Sequence, residues 1–193
     1  MNIVLVHGIF DTGAVFKTLE RELTMQGHHC FVPSLQPNDA RHGIADLAEK
    51  LHFLVNEEFG SGEPIVIIGF SMGCLISRYY LARLDGFRRA EAFFAISGPH
   101  RGSLLAFLCP GKGLRDMRPG SNFLRDLDSV DMAEWNFPIY TYWTPLDLMI
   151  LPANSSRWTP AMEEVVWVLL HRLMSSDKKV RLSIIEKIGC IKS

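Results

Sequence analysis

The chain has 193 residues, of which 48% are hydrophobic and 21% are charged. This length predicts a single domain over residues 1–193, with a core large enough to fold without a disulfide or a structural metal ion. The apolar content excludes a disordered or low-complexity chain. Twenty basic and 21 acidic residues give a net charge of -1, which argues against a protein that binds nucleic acid by neutralising phosphates.

Cysteine spacing and the N-terminal residues bear on the cellular compartment. The absence of a C-x-x-C pair disfavours zinc ribbons and thioredoxin-like redox sites. The four cysteines are Cys30, Cys74, Cys109 and Cys190. We therefore expect buried, reduced thiols in a cytoplasmic protein. The apolar run 3–6 is too short for a signal peptide, and no run in the sequence approaches the roughly 18 residues of a membrane span.

Short apolar runs alternate along the chain with segments of helical periodicity. The predicted strands are 3–6, 29–32, 65–68, 92–96, 139–143 and 165–170. Apolar residues recur at helical spacing in 15–23, 44–55 and 72–84, and again after Asp177. This alternation is typical of βαβ units. We therefore predict an α/β fold with a mostly parallel sheet of about six strands and helices on both faces.

The last predicted helix carries basic residues opposite its isoleucines. Such a face is able to contact a membrane surface peripherally. The same spacing also fits a helix that packs its apolar side on the sheet, and this second interpretation is the favoured prediction.

Residues 101–137, between the fourth and fifth predicted strands, differ from the rest of the chain. Glycines and prolines interrupt the segment beside an apolar cluster of Leu104, Leu105, Phe107 and Leu108. Excursions of this length inside a domain are usually functional, so we predict a lid or a binding segment. Together with Phe70 and Met72, the cluster forms either an acyl pocket or part of the core.

The pentapeptide Gly69-Phe70-Ser71-Met72-Gly73 lies between a predicted strand and a predicted helix. A serine at the apex of such a sharp turn exposes its hydroxyl, and the small residues on either side leave room for the strained backbone. The helix that follows points its N-terminus at negative charge that develops beside the serine. The context therefore favours a nucleophile elbow at Ser71 over an incidental turn.

A serine nucleophile needs a base, and the base needs an acid to orient it. Behind such an elbow these partners follow in the order serine, acid, histidine, each after a later strand. Asp147 and His171 meet both conditions. His100 is the main competitor as base, although it comes early in the chain. The competing acids are Asp126, Asp128 and Asp131, which have the pattern of a charged helix face.

His7-Gly8-Ile9 closes the first predicted strand. In sites of this type an oxyanion is bound by a backbone N–H from such a turn and by the N–H of the residue that follows the nucleophile. We assign these donors to Ile9 and Met72. The alternative for His7-Gly8 is a plain turn with a histidine packed beneath it.

These motifs together resemble the α/β-hydrolase fold, in particular the small lipases and esterases. Pro99-His100-Arg101-Gly102-Ser103 is also similar to a stretch of lipase-like and GPI-inositol-deacylase-like members. The resemblance implies a triad of Ser71, Asp147 and His171, with Ile9 and Met72 in the oxyanion hole. It further implies that the first two strands of the full fold are missing and that the first and third predicted strands lie side by side.

The leading functional hypothesis is hydrolysis of a small-molecule or lipid carboxylic ester through an acyl-enzyme. The same triad would serve an acyltransferase or a thioesterase, and a non-catalytic binding protein of this fold is a further alternative. No metal or organic cofactor is expected, because metal-protease, phosphate-loop and dinucleotide motifs are absent from the sequence.

Overall fold

The protein is described by a computed structural model that covers residues 1–191. A six-stranded sheet in the order β2-β1-β3-β4-β5-β6 organises these residues. The strands are β1 (Asn2–Val6), β2 (His29–Phe31), β3 (Ile65–Phe70), β4 (Ala90–Ile96), β5 (Ile139–Trp143) and β6 (Met162–Val165). Each strand pairs in parallel with its neighbours. The predicted α/β fold with a six-stranded parallel sheet is confirmed.

Helices cover both faces of the sheet. They are α1 (Lys17–Met25), α2 (Ile44–Phe59), α3 (Met72–Arg83), α4 (Lys112–Asp116), α5 (Asn122–Asp128) and α6 (Lys178–Ile191). One core contains the apolar sides of α2, α3 and α5, and the other contains those of α1 and α6. Val4 of β1 faces the first core and Ile3 faces the second. Burial on both faces explains why the strands are unbroken apolar runs.

The sixth strand is shorter and earlier than predicted. The sequence predicts 165–170, whereas β6 is Met162–Val165. The N–H of Val166 still donates to the carbonyl of Trp143, at 3.0 Å. Trp143 is the last residue of β5, so the partner strand ends there and the backbone ladder ends with it.

Beyond Trp143, a side chain takes the place of the backbone hydrogen bonds between β5 and the chain after β6. The hydroxyl of Thr144 donates to the carbonyl of Val168, at 2.9 Å, and accepts from the N–H of the same residue, at 3.3 Å. The segment 166–170 is therefore held beside β5 without being a strand. His171 follows it and opens a 3₁₀ turn, His171–Ser175.

Two of the four cysteines contradict the expectation of buried thiols. Cys74, on α3, is fully buried, and burial raises the pKa of its thiol. Cys30 is partly buried, whereas Cys109 and Cys190 are exposed. Cys109 lies in the excursion and Cys190 lies near the end of α6, on a side of the helix that does not face the sheet.

The last helix packs on the sheet as favoured above. Val180, Ile184 and Ile188 are completely buried in the second core, so the apolar face of α6 is covered by protein. Within residues 1–191, no helix combines the length and apolar character needed to cross a bilayer.

The excursion 101–137 is a packed segment with its own short helices. It contains a 3₁₀ turn at Leu104–Phe107 as well as α4 and α5. Several of its apolar side chains join the first core; they are Ala106, Met117, Leu124 and Leu127. The excursion therefore follows the carboxyl end of β4, and its buried side chains hold it against the first core.

Candidate active site

Ser71 occupies a strained turn between β3 and α3. Its φ of 55° and ψ of -125° lie outside the regions that a non-glycine residue ordinarily adopts. Its N–H donates to the carbonyl of Ile96 at 2.9 Å, which ties the turn to β4. Strain of this kind persists where the surroundings hold it, and it marks functional sites.

Glycines around Ser71 permit a close approach of three backbone segments. A Cβ on Gly73 would lie 2.0 Å from the carbonyl oxygen of Val6, and one on Gly69 would lie 2.9 Å from the carbonyl oxygen of Gly73. A Cβ on Gly8 would lie 3.0 Å from the Cβ of Ser71. Since Val6 pairs with Gly69, β1 and β3 are neighbours, and the turn after β1 lies against the serine.

His7 fixes the turn that follows β1. The imidazole is completely buried. Its Nε2 accepts the N–H of Leu35 at 3.1 Å, so Nδ1 carries the proton and donates to the carbonyl of Gly8, at 2.9 Å. The C=O and N–H of a trans peptide point in opposite directions. Holding the carbonyl of Gly8 therefore turns the N–H of Ile9 the other way.

The N–H groups of Ile9 and Met72 are both available to a ligand. Ile9 lines the cavity at Ser71, and its N–H has no hydrogen-bond partner within residues 1–191. Met72 is the first residue of α3, and an N–H at that position has no acceptor within the helix.

Asp147 and His171 form a buried hydrogen-bonded pair. The Nδ1 of His171 lies 2.7 Å from Oδ2 of Asp147, with side chains 11% and 1% exposed. The other carboxylate oxygen accepts the N–H groups of Met149 at 2.9 Å and Ile150 at 3.0 Å. The carboxylate is thus held from both sides, and the imidazole is oriented by its Nδ1 atom.

His171 lies against the residue that precedes the serine. The rings of His171 and Phe70 are 5.0 Å apart at their centroids. The hydroxyl of Ser71 forms no hydrogen bond with His171 within residues 1–191. Such bonds are often long in unliganded enzymes and tighten when the substrate binds.

Ser103 connects the excursion to the loop that carries Asp147. Its hydroxyl donates to the carbonyl of Met149 at 3.0 Å and accepts the N–H of Leu151 at 3.0 Å. The N–H of Leu104 adds a bond to the carbonyl of Leu151, at 2.8 Å. Sequence reasoning named Ser103 without giving it a role, because the contact joins two loops 48 residues apart.

An apolar cavity of about 250 Å³ opens at Ser71. Its walls include Leu105, Leu108, Cys109, Leu114 and Met117 from the excursion. Leu105 and Leu108 thus belong to the pocket, whereas Phe70 and Met72 are core residues. Leu104 and Phe107 are exposed outside it.

Three exposed apolar side chains stand at the mouth of this cavity. They are Phe10, Leu108 and Met149, which we call the apolar rim, and each is more than half exposed. They come from the loops after β1, β4 and β5. Loops after parallel strands meet at one edge of the sheet, which brings this rim together.

The competing acids and base lie elsewhere. Asp126 bonds to Arg83 and Asp128 bonds to Arg78, both on α3. His100 is buried and stacks on Trp158 at 4.9 Å. Burial and two nearby arginines hold the pKa of His100 well below its usual value, so this imidazole is neutral.

No group of three or more histidine, cysteine or acidic side chains that could hold a metal ion occurs in residues 1–191.

Comparison with known proteins gives a family and a set of similar folds. The sequence profile of the Alpha/beta hydrolase family matches residues 3–183. No curated protein sequence matches the chain. The mature lipase BlEst2 of Bacillus licheniformis superimposes with a TM-score of 0.70 at 15% identity, over 98% of this chain and 91% of the lipase.

Two further structures have similar folds. A thermophilic esterase of Thermogutta terrifontis gives a TM-score of 0.68 at 15% identity, over 100% of this chain and 91% of the esterase. Lipase B of Aspergillus fumigatus gives 0.70 at 16% identity over 89% of this chain, which spans 48% of the lipase. At such low identity the likeness concerns the fold alone.

Proposed function

The chain belongs to the alpha/beta hydrolase family, and from this premise we propose that it hydrolyses carboxylic esters through an acyl-enzyme on Ser71. The observation that carries the proposal is the buried bond of 2.7 Å between Asp147 and His171. It lies beside the strained serine turn, since His171 packs on Phe70. Ser71 lines the adjacent cavity, and an oriented imidazole next to an accessible alcohol is the arrangement that activates a serine.

In this mechanism the Oγ of Ser71 attacks the ester carbonyl carbon while the Nε2 of His171 takes the hydroxyl proton. The Nδ1–H of His171 stays hydrogen-bonded to Asp147, whose charge stabilises the imidazolium. His171 then protonates the leaving alcohol, and the acyl group remains on Ser71. Water deprotonated by His171 attacks the acyl carbonyl, which releases the acid and restores the serine.

The negative oxygen of each tetrahedral intermediate would be bound by the N–H groups of Ile9 and Met72. Loss of one such donor costs about 3 kcal/mol in comparable sites. The hydrogen bond from His7 to the carbonyl of Gly8 supports this assignment, because it presets the direction of the Ile9 N–H.

The cavity at Ser71 supports an apolar acyl group as the substrate class. Its volume of about 250 Å³ is below the roughly 300–1,000 Å³ usual for pockets that hold drug-sized ligands. We therefore infer that esters of short acyl chains fit better than long-chain ones. The excursion 101–137 supplies much of the wall, and we propose that it is the acyl-binding segment of a single hydrolase domain.

The test is a series of nitrophenyl esters from acetate to octanoate with the wild-type chain, Ser71→Ala and the control Ser61→Ala. Ser61 lies in the exposed turn between α2 and β3. We expect hydrolysis that peaks at a short chain, falls by at least about 10⁴-fold in Ser71→Ala and is unchanged in Ser61→Ala. A folded Ser71→Ala protein with wild-type activity would overturn the proposal.

A further inference from the structure

A second and larger cavity lies on the other side of the loop that follows β4. Pro99 lines the cavity at Ser71, whereas His100 and Arg101 line the second one. The second cavity has a volume of about 420 Å³, within the usual range for small-molecule sites. We call it the arginine cleft; its walls hold Arg78, Arg101 and Arg157, with Asp128 at one side.

Arg78 is a buried cation at the base of the arginine cleft. Its side chain is 3% exposed, while its carboxylate partner Asp128, at 2.9 Å, is 59% exposed. The guanidinium also lies over the ring of Trp158, at 4.4 Å from the centroid. A buried charge is costly unless it is well paired. Arg78 also donates to the carbonyl of His100, at 3.4 Å, and burial lowers its pKa. Because its carboxylate partner is largely exposed to solvent, a second anion in the cleft would be favourable.

His100 adds a buried polar group without a partner. It is 1% exposed, and neither Nδ1 nor Nε2 has a hydrogen-bond partner in the part of the chain that the structure describes. Most buried polar atoms in proteins are paired, so a group without a partner calls for an explanation. Both nitrogens lie beneath the accessible surface, and Nε2 is next to Gly98. His100 therefore contributes the surface of its ring, and no hydrogen-bonding atom, to the lining of the arginine cleft.

Arg101 and Arg157 stand at the entrance. The Arg101 side chain is exposed and has neither an ion pair nor a hydrogen bond within residues 1–191. Arg157 bonds to Glu163 through Nε, at 2.9 Å. Its terminal nitrogens make no hydrogen bond in the same described residues. Guanidinium groups with free N–H donors match carboxylate and phosphate oxygens.

The charge and the apolar residues of the arginine cleft indicate which class of ligand fits it. The three arginines and Asp128 give the lining a net charge of +2 (three positive, one negative), in a chain whose net charge is -1. A phosphomonoester carries about -1.5 to -2 at neutral pH. Four apolar side chains also line the cleft, and we call them its apolar wall: Leu127, Val130, Met132 and Pro160.

We infer that the arginine cleft binds a small organic phosphate, with the phosphate on Arg101 and Arg157 above Arg78 and the apolar body against Leu127 and Met132. This site is separate from the cavity at Ser71 and does not depend on the proposed esterase activity. Asp128 competes with the ligand for Arg78, so its charge opposes binding.

The test is calorimetric titration of the full chain with phenyl phosphate, with inorganic phosphate and benzyl alcohol as partial ligands. We expect phenyl phosphate to bind at least tenfold more tightly than inorganic phosphate, and benzyl alcohol to show no saturable binding. Equal affinity for the two phosphates would overturn the role of the apolar wall. Absence of saturable binding of phenyl phosphate at millimolar concentration would overturn the site.

Variants separate binding from folding. The double variant Arg101→Gln/Arg157→Gln changes exposed side chains and should weaken phenyl phosphate at least tenfold, whereas the matched control Arg88→Gln, outside the cleft, should not. Asp128→Asn should tighten binding severalfold, an effect opposite to that of a merely structural loss. Ser71→Ala should bind as the wild type does. Unchanged affinity in the double variant would contradict the inference.

Discussion

The two sides of the candidate active site are held together in different ways. On the serine side, backbone packs on backbone: Gly73 lies against β1, and Gly8 lies against Ser71. On the acid–base side, side chains bridge loops: Thr144 holds the segment before His171, and Ser103 holds the loop of Asp147. We therefore expect substitutions on the serine side to cause large losses of stability, and substitutions on the acid–base side to cause smaller, graded losses of activity.

The surfaces of the two sides differ as well. Phe70 and Met72, on either side of Ser71, are buried. The acid–base loops expose large apolar side chains; they include Leu148, Trp167, Leu169 and Leu170. A packed backbone leaves little room for change. Loops at the surface carry function and adjust more easily.

The largest effect should come from one methyl group on the serine side. In Gly73→Ala the new Cβ would lie 2.0 Å from the carbonyl oxygen of Val6, so β1 and α3 must separate. We expect the free energy of unfolding to fall by more than about 3 kcal/mol, measured by chemical denaturation. Gly189→Ala is the matched control, because nothing lies within 4 Å of its Cβ. A native-like stability of Gly73→Ala would contradict the close approach.

The next effect tests the acid. Asp147→Asn keeps the shape of the side chain but offers an N–H or a neutral oxygen to His171, which disturbs the orientation and charge of the imidazole. We expect kcat for ester hydrolysis to fall by about 10³–10⁴-fold with folding retained, as in other serine triads. Asp131→Asn is the control and should leave kcat unchanged. A fall of kcat in Asp131→Asn with unchanged kcat in Asp147→Asn would assign the acid to Asp131.

A smaller effect should follow from Ser103→Ala. The substitution removes the hydroxyl that bridges Met149 and Leu151, so the loop of Asp147 loosens while the side chain of Asp147 stays present. We expect kcat to fall about tenfold, with KM for a short ester nearly unchanged. Ser129→Ala, on an exposed turn, is the control. A change in KM alone would mean that Ser103 shapes the pocket instead of positioning the acid.

The smallest effect concerns the apolar rim. Leu108→Ser changes a side chain that is 76% exposed, so stability should stay within about 0.5 kcal/mol. We expect the ratio of kcat/KM for octanoate to that for acetate to fall a few-fold, because longer chains reach the rim. Met25→Ser, also exposed but on α1, should leave the ratio unchanged. An equal fall for both esters would argue against contact with the chain end.

The structure of the serine side is predictable almost entirely from the local sequence. An aliphatic run followed by glycines around Ser71 predicts the strand, the turn and the helix, because each depends on residues within a few positions. The adjacency of β1 and β3, expected from the family resemblance, is confirmed by their register from Asn2↔Ile65 to Val6↔Gly69.

The acid–base side could be read only in part. The order of Asp147 and His171 was visible in the sequence, and the structure pairs them. The predicted bounds of β6 are wrong because Val166 and Val168 are apolar and buried like strand residues, although Val168 is held by the side chain of Thr144 and not by a backbone ladder. The role of Ser103 and the arginine cleft depend on contacts between distant segments, which no local pattern encodes.

The central claim is that Ser71 is the alcohol made reactive by its surroundings. Treatment of the folded chain with a fluorophosphonate, followed by intact mass measurement and peptide mapping, tests this most directly. We predict one phosphonyl group per chain on Ser71, no adduct in Ser71→Ala and markedly slower labelling in His171→Ala. Labelling of a different residue, or none on the folded wild-type chain, would contradict the account.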